Sequence, residues 1–297
     1  MANMEHADAI TRMQEYIENN LKTEITLHNL AEQAGYSPWH CAKMFKDYTG
    51  KSPFEYIRGL RLSKAALALR DDNLKVVDVA MDFLFDSHEG FTRAFRRQFG
   101  LPPKKYQKDT PPIQLFNPYP VRSYYIMQED KNDMPSVSDH LHIQIMHYPQ
   151  RKMILLRGEK GQDYMEYTSE VGCDVWGMLV SIKEALYEPV GIWLPDRFRP
   201  KNTSYYAQGV EVPADYNGII PEGYDILDLP PCTMMMFQSE PYDEDFFAEV
   251  ITDIASVIDN YDPSQHGFKW ADYAPRIQLE PQGYRGYIEG RPVTAVQ

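Results

Sequence analysis

The sequence predicts a two-domain protein of mixed class. An all-α domain with two helix-turn-helix units comes first, and an α+β domain of two pseudo-repeated strand-helix-strand-strand units follows. Three observations carry this. Apolar residues recur at helical spacing through the first 110 residues and at strand spacing only after about residue 138. The first region repeats itself at an offset of 50 residues and the second at an offset of 81. Charge divides along the same line: residues 1–110 carry 16 Lys/Arg against 15 Asp/Glu, and residues 111–297 carry 14 against 28.

In the first region Ile10, Met13, Ile17 and Leu21 define one apolar helix face. A short helix is expected from Thr26 to Ala34, then a sharp turn at Gly35-Tyr36. Ser37 caps the next helix, with Pro38 at its first position. That helix stops near Gly50, and a longer one covers about Phe54 to Asp71. The pattern then returns. Val76–Met81 reads as a short helix, Phe85-Asp86-Ser87 as turn and cap, and His88 to Phe99 as a helix ended by Gly100-Leu101-Pro102-Pro103. Ser37, Lys43, Phe45, Gly50, Pro53 and Tyr56 match Ser87, Arg93, Phe95, Gly100, Pro103 and Tyr106. Upstream of the cap the offset is 49, through Ala31 and Ala80.

Residues 111–137 are Pro-rich and read as a linker that packs on its neighbours, so the boundaries are 1–110, 111–137 and 138–297. Beyond it, strands are expected at Ile143–His147 and Met153–Arg157, a long helix from Tyr164 to Leu186, and strands at Gly191–Leu194 and Tyr205–Val212. A second helix at about Glu244 to Asn260 and strands at Arg276–Glu280 and Arg285–Glu289 complete the second copy. Pro149, Met153, Leu156 and Glu159 match Pro230, Met234, Phe237 and Glu240.

Composition narrows the function classes. An apolar content of 43% excludes wholesale disorder. Cys41, Cys173 and Cys232 are scattered, without C-x-x-C spacing, which argues against a disulfide framework or structural zinc. No signal-peptide shape and no run of about 18 apolar residues is present, so a soluble, cytoplasmic protein is expected. The net charge of −13 hides a basic stretch, Phe91 to Lys108, with Arg93, Arg96, Arg97, Lys104, Lys105 and Lys108 and no acid. Phosphate contact needs such a stretch, because counterion release supplies much of the affinity for nucleic acid.

These residues support a family resemblance. Residues 8–108 resemble the DNA-binding domain of the AraC/XylS transcription regulators, through Leu30-Ala31-Glu32-Gln33-Ala34-Gly35-Tyr36-Ser37, Phe45-Lys46 and Gly50-Lys51-Ser52-Pro53. In the second unit the matches are Phe91-Thr92-Arg93-Ala94-Phe95 and Phe99-Gly100-Leu101-Pro102-Pro103. Leu84 stands where the family's turn usually has glycine. The remainder resembles a GyrI-like small-molecule-binding domain, on the duplicated unit and the domain order. The resemblance implies a DNA-binding regulator that acts without a cofactor or metal, has double-stranded DNA and RNA polymerase as partners, and is not an enzyme. It also implies a multidrug-type effector groove between the two repeats, with an acidic residue inside.

In the first unit the outward residues of the recognition helix are Trp39, Ala42, Lys43 and Lys46, and the resemblance places the first three against bases. Ala42 offers only a methyl group, for example to thymine; Trp39 is alternatively a core residue. In the second unit the candidates are His88, Glu89, Thr92, Arg93, Arg96 and Arg97. Arg93 suits guanine and Glu89 suits cytosine, unless Glu89 only favours the helix N-terminus. Arg96 and Arg97 suit phosphate.

For the second domain, aromatic walls and a carboxylate suit an apolar, aromatic or cationic ligand. The candidates are Trp176, Trp193, Tyr205, Trp270 and Tyr273, with Glu280 first and Glu289 next as the acid. A protein-interaction module and a GyrI-like hydrolase are the competing readings. No Ser/His/Asp or Cys/His set supports the hydrolase, and His140, His142 and His147 do not make a convincing metal site.

Overall fold

A computed structural model of the protein describes residues 4–72, 74–118, 121 and 141–296. It divides into two compact units, Met1–Glu129 and Asp130–Gln297. The linker end expected at residue 137 lies outside the described residues, as does His140.

The first unit is helical: α1 (Met4–Asn19), α2 (Leu27–Ala34), α3 (Pro38–Thr49), α4 (Pro53–Asp71), α5 (Val76–Asp82), α6 (His88–Phe99) and α7 (Pro103–Asp109). Local chemistry sets each boundary. Thr26 makes a capping box with Asn29, Ser37 accepts from the His40 N–H, and Ser87 accepts from the Gly90 N–H. Gly50 and Gly100 end α3 and α6 in the left-handed conformation. The helix α7 was not read from the sequence; it is the counterpart of the start of α4. Tyr56 and Tyr106, fifty residues apart, are both fully buried, and each packs on the phenylalanine of its own unit: Phe45 at 5.1 Å and Phe95 at 5.6 Å between centroids.

The start of the expected linker packs on this unit. The Phe116 N–H donates to Ser63 Oγ at 2.7 Å, and the ring meets Tyr56 edge-on at 5.0 Å. Gly59 makes room for it, since a Cβ there lies 3.0 Å from the Phe116 ring.

The second unit is one antiparallel sheet with helices on one face. Its strands are β1 (Leu141–Tyr148), β2 (Arg151–Arg157), β3 (Val190–Trp193), β4 (Tyr206–Pro213), β5 (Asp225–Leu229), β6 (Cys232–Ser239), β7 (Phe268–Trp270), β8 (Arg276–Leu279) and β9 (Ile288–Ala295). The spatial order is β1-β6-β9-β8-β3-β4-β2-β5, with β7 also on β9. The helices are α8 (Tyr164–Val171), α9 (Val175–Val180) and α10 (Phe247–Asp259). Register records the duplication: Ile154 pairs with Val210, and 81 residues on, Met235 pairs with Arg291. The copies meet where β3 pairs with β8, through Gly191 and Gln278. Strand β1 pairs with β6 of the later copy, while β5 pairs with β2 of the earlier one. Each leading strand thus crosses to the other copy.

Three expectations need correction. The long helix Tyr164–Leu186 is two short helices, broken at Gly172, where φ is +93°. The last strand is Ile288–Ala295 rather than Arg285–Glu289, because residues 282–286 turn back on themselves. Strands β5 and β7 were not anticipated.

Strand alternation gives the sheet two different faces. On one, Ile154, Val210 and Val212 pack with Val175 and Leu179 of the first copy's helices; in the second copy Met235, Phe237 and Val293 pack with Val250, Ile254 and Ile258 of α10. The opposite face carries Met153, Leu155, Ile192, Met234, Met236 and Ile277. The helices sit over the outer strands of each copy and leave β3 and β8 between them.

Candidate nucleic-acid interface and groove

The two recognition helices are the same scaffold used twice. From residue 38 to residue 47, every position has the burial class of the residue fifty further on. Cys41, Met44 and Phe45 face the core, and so do Phe91, Ala94 and Phe95. Trp39, Lys43 and Lys46 are exposed and Ala42 is half-buried; His88, Glu89, Arg93, Arg96 and Arg97 are exposed and Thr92 is half-buried. Trp39 is 74% exposed, which excludes the core alternative. The sequence reading passed over Asp47, exposed at the position equivalent to Arg97; only the repeat register draws it out.

The frame that holds these helices is tied by side-chain donors that bridge its helices and loops. Arg12 of α1 donates to the carbonyls of Gln33 and Ala34 at the end of α2. Arg61 of α4 donates to the carbonyls of Leu21 and Thr23. Gln14 donates to Tyr56 Oη at 3.0 Å, joining α1 to α4, and burial pushes the Tyr56 phenol well above its usual range. Helix α4, between the two reading units, has 19 residues and is about 28 Å long. That is close to the roughly 34 Å of one turn of B-DNA.

In the second unit the expected ligand residues do not all converge. Trp193 lies on the helix-bearing face of β3, between the helical layers. The Tyr206 ring meets it at 5.1 Å, and the Arg276 guanidinium stacks on it at 4.0 Å. Gly191 allows this, because a Cβ there lies 2.2 Å from Tyr206 Oη. Glu289 is fully buried on the same face. It is not an uncompensated carboxylate: Arg276 Nη2 donates to it at 2.6 Å, Tyr287 Oη at 2.6 Å, and Arg291 Nε donates to its other oxygen. Two of the chain's own guanidinium groups therefore already pair with this carboxylate. Arg291 also lies over Trp270, 5.6 Å from the ring centre.

Tyr273 is used structurally. Its hydroxyl accepts from the Thr233 N–H and donates to the Val293 carbonyl, both at 3.0 Å, and so completes the ladder between β6 and β9. Tyr205 is exposed just before β4, with Arg199 over its ring at 5.9 Å. Trp176 is half-buried on α9. Glu280 lies one residue beyond β8 rather than within a strand, and is solvent-accessible. Desolvation by the surrounding protein, with Glu188 and Glu244 nearby, holds its carboxyl above the usual carboxylate range. The arginines 276 and 291 were missed by sequence reading; their spacing of 15 residues carries no local pattern.

Among the described residues no group of three or more His, Cys, Asp or Glu side chains is disposed to hold a metal ion. Cys41 and Cys232 are buried thiols outside any disulfide. No helix among the described residues is long and apolar enough to cross a membrane.

This geometry defines a class: a double helix-turn-helix domain with two equivalent reading helices. Residues 30–109 match a family described as a helix-turn-helix domain. The chain is 40% identical over 120 residues to the transcriptional regulator Rob of Salmonella typhimurium, covering 38% of this chain and 42% of that protein. The right origin-binding protein of Escherichia coli K12 matches over the same shares. The multiple antibiotic resistance protein MarA of Escherichia coli K12 is 36% identical over 104 residues, covering 34% of this chain and 82% of that protein. A solved structure of the DNA-binding domain of AdpA in complex with a target DNA matches with a TM-score of 0.32 at 25% identity, over 34% of this chain and 91% of that one. The chain belongs to the AraC/XylS family of helix-turn-helix transcription regulators. It spans less than half the length of the Rob and right origin-binding relatives.

Proposed function

We propose that this protein is a sequence-specific transcription regulator that binds double-stranded DNA through residues 1–110 as a monomer, and that its second unit binds a small-molecule effector. The observation that carries the first part is the matched exposure of residues 38–47 and 88–97. Two reading helices in one chain, held by one 19-residue helix, suit successive major-groove segments. The site is then asymmetric and spans about two turns. Trp39, Ala42, Lys43, Glu89, Thr92 and Arg93 are the base-reading residues of this proposal; Lys46, His88, Arg96 and Arg97 grip the backbone. RNA polymerase is the protein partner that such a regulator would meet in the cytoplasm.

The effector reading rests on the strip over β3 and β8, where the two copies meet. Trp193 supplies half-buried aromatic surface there, backed by the fully buried Tyr206, and Glu280 an accessible carboxylate. A flat apolar ligand, or a cation drawn to Glu280, fits this chemistry; Glu289 is already neutralised. Selection of DNA from a random pool by the full chain, followed by stoichiometry, tests the first part. An obligate palindrome with two chains bound overturns it. Thermal-shift and tryptophan-fluorescence titrations of the full chain with neutral and cationic aromatic compounds test the second. Loss of cation preference in Glu280→Gln is expected, and no response to any such compound removes the effector reading.

A further inference from the structure

We infer that the two recognition helices read chemically different DNA. Helix α3 reads thymine methyl groups, while α6 reads the polar edges of guanine and cytosine, so the site has an apolar half and a polar half. This rests on the proposed DNA-binding function.

The scaffolds are equal, so a difference in reading comes from side chains alone. The caps Ser37 and Ser87, the terminating Gly50 and Gly100, and the buried faces all correspond. At the outward positions the chemistry diverges. Trp39 stands where Glu89 does, Ala42 where Thr92 does, Lys43 where Arg93 does, Lys46 where Arg96 does, and Asp47 where Arg97 does. Helix α3 therefore presents two apolar groups at its leading positions and no guanidinium. The major-groove feature that apolar groups recognise is the C5-methyl of thymine. An indole 74% exposed to water gains by covering such a methyl. A lysine alone is a point charge, without the paired donors that match guanine O6 and N7.

Helix α6 is the opposite case. Glu89 and Arg93 are one turn apart on its exposed side, an acceptor beside a bidentate donor. Glutamate accepts from cytosine N4 and arginine donates to guanine O6 and N7. Charge is divided in the same sense. Arg96 and Arg97 face outward on α6, whereas α3 carries Lys46 and Asp47 at the matching positions, and a carboxylate repels phosphate. The phosphate grip thus falls mainly on the polar half.

The test uses the full chain and a site selected from random DNA. Two probe sets are then made on that site: uracil for each thymine, which removes only the methyl, and 7-deazaguanine for each guanine, which removes only N7. Uracil should weaken binding about fourfold per contacted methyl, and 7-deazaguanine about tenfold. The two sensitive clusters should lie about one helical turn apart. Trp39→Ala should reduce the uracil effect alone, leaving at most the methyl contact of Ala42, and Arg93→Ala should abolish the 7-deazaguanine effect alone. Both effects in one half, or 7-deazaguanine sensitivity in both halves without a uracil effect, overturns the inference. No enrichment of any sequence in the selection overturns instead the DNA-binding reading beneath it.

Discussion

Leu84 occupies, in the second helix-turn-helix unit, the left-handed turn position that Gly35 fills in the first: φ is +58° at Leu84 and +75° at Gly35. The following N–H closes the same bond in both, from Tyr36 to the Ala31 carbonyl and from Phe85 to the Ala80 carbonyl. A leucine in this conformation brings its Cβ against the carbonyl, at a cost of about 1–2 kcal/mol. Its side chain is 43% exposed and recovers little by packing. Leu84→Gly is therefore expected to stabilise the first unit by about 1 kcal/mol net of the extra freedom of an unfolded glycine. Urea denaturation checks this; a destabilisation of that size would show that Leu84 packs in a way its exposure conceals.

The buried charge cluster of the second unit makes a prediction of opposite sign. Glu289 binds Arg276 and Arg291, and each arginine lies over a tryptophan. Removing Glu289 leaves Arg276 without a carboxylate partner, while Arg291 keeps its ion pair with Asp259. Glu289→Ala should destabilise the second unit by about 3–5 kcal/mol and shift the emission of Trp193 and Trp270. Unchanged stability with unchanged fluorescence would mean that the two guanidinium groups are solvated in solution.

The reading helix α6 separates two kinds of arginine. Arg93→Ala should cost about 1–3 kcal/mol on the selected DNA site and relax base preference at one position. Arg97→Ala should weaken all sequences alike and lower the slope of log K against log salt by about one. Binding isotherms at several salt concentrations distinguish them. Equal, sequence-independent losses would show that Arg93 is a backbone contact.

A pH-dependent contribution sits just beyond β2. The Glu170 carboxylate accepts from the backbone N–H groups of Glu159, Lys160 and Gly161, which hold its pKa below the usual carboxylate range. A depressed folded-state value means that the stabilisation is complete above the unfolded pKa of about 4.3 and is lost as pH falls through the folded value. Glu170→Gln should therefore lower the melting temperature at neutral pH, and the difference should shrink below about pH 4. A difference that persists unchanged into acid would show that the amide loses shape rather than charge.

The helix-turn-helix half was legible because its information is local. Caps such as Ser37 and Ser87, stops such as Gly50 and Gly100, and apolar spacing act within one or two turns of chain. The repeat aligns Lys43 with Arg93 on the outward face of each helix. The second half was legible as a duplication, but its site was not. Aromatic and acidic residues in strands announce neither their face nor their partners, since both depend on register with strands far away.

The sequence alone thus determined the double helix-turn-helix, the duplicated sheet unit and the outward face of each reading helix, all consequences of local periodicity and capping. Only the tertiary structure decided that Tyr273 serves a ladder, that β1 and β5 cross between copies, and that Glu289 is already neutralised. The reason is range. Arg276 reaches Glu289 because β8 and β9 are neighbours in the sheet, and Arg276 reaches Trp193 because β3 lies on the other side of β8. Pairings across 13 and 83 residues leave no periodic trace in the chain that makes them.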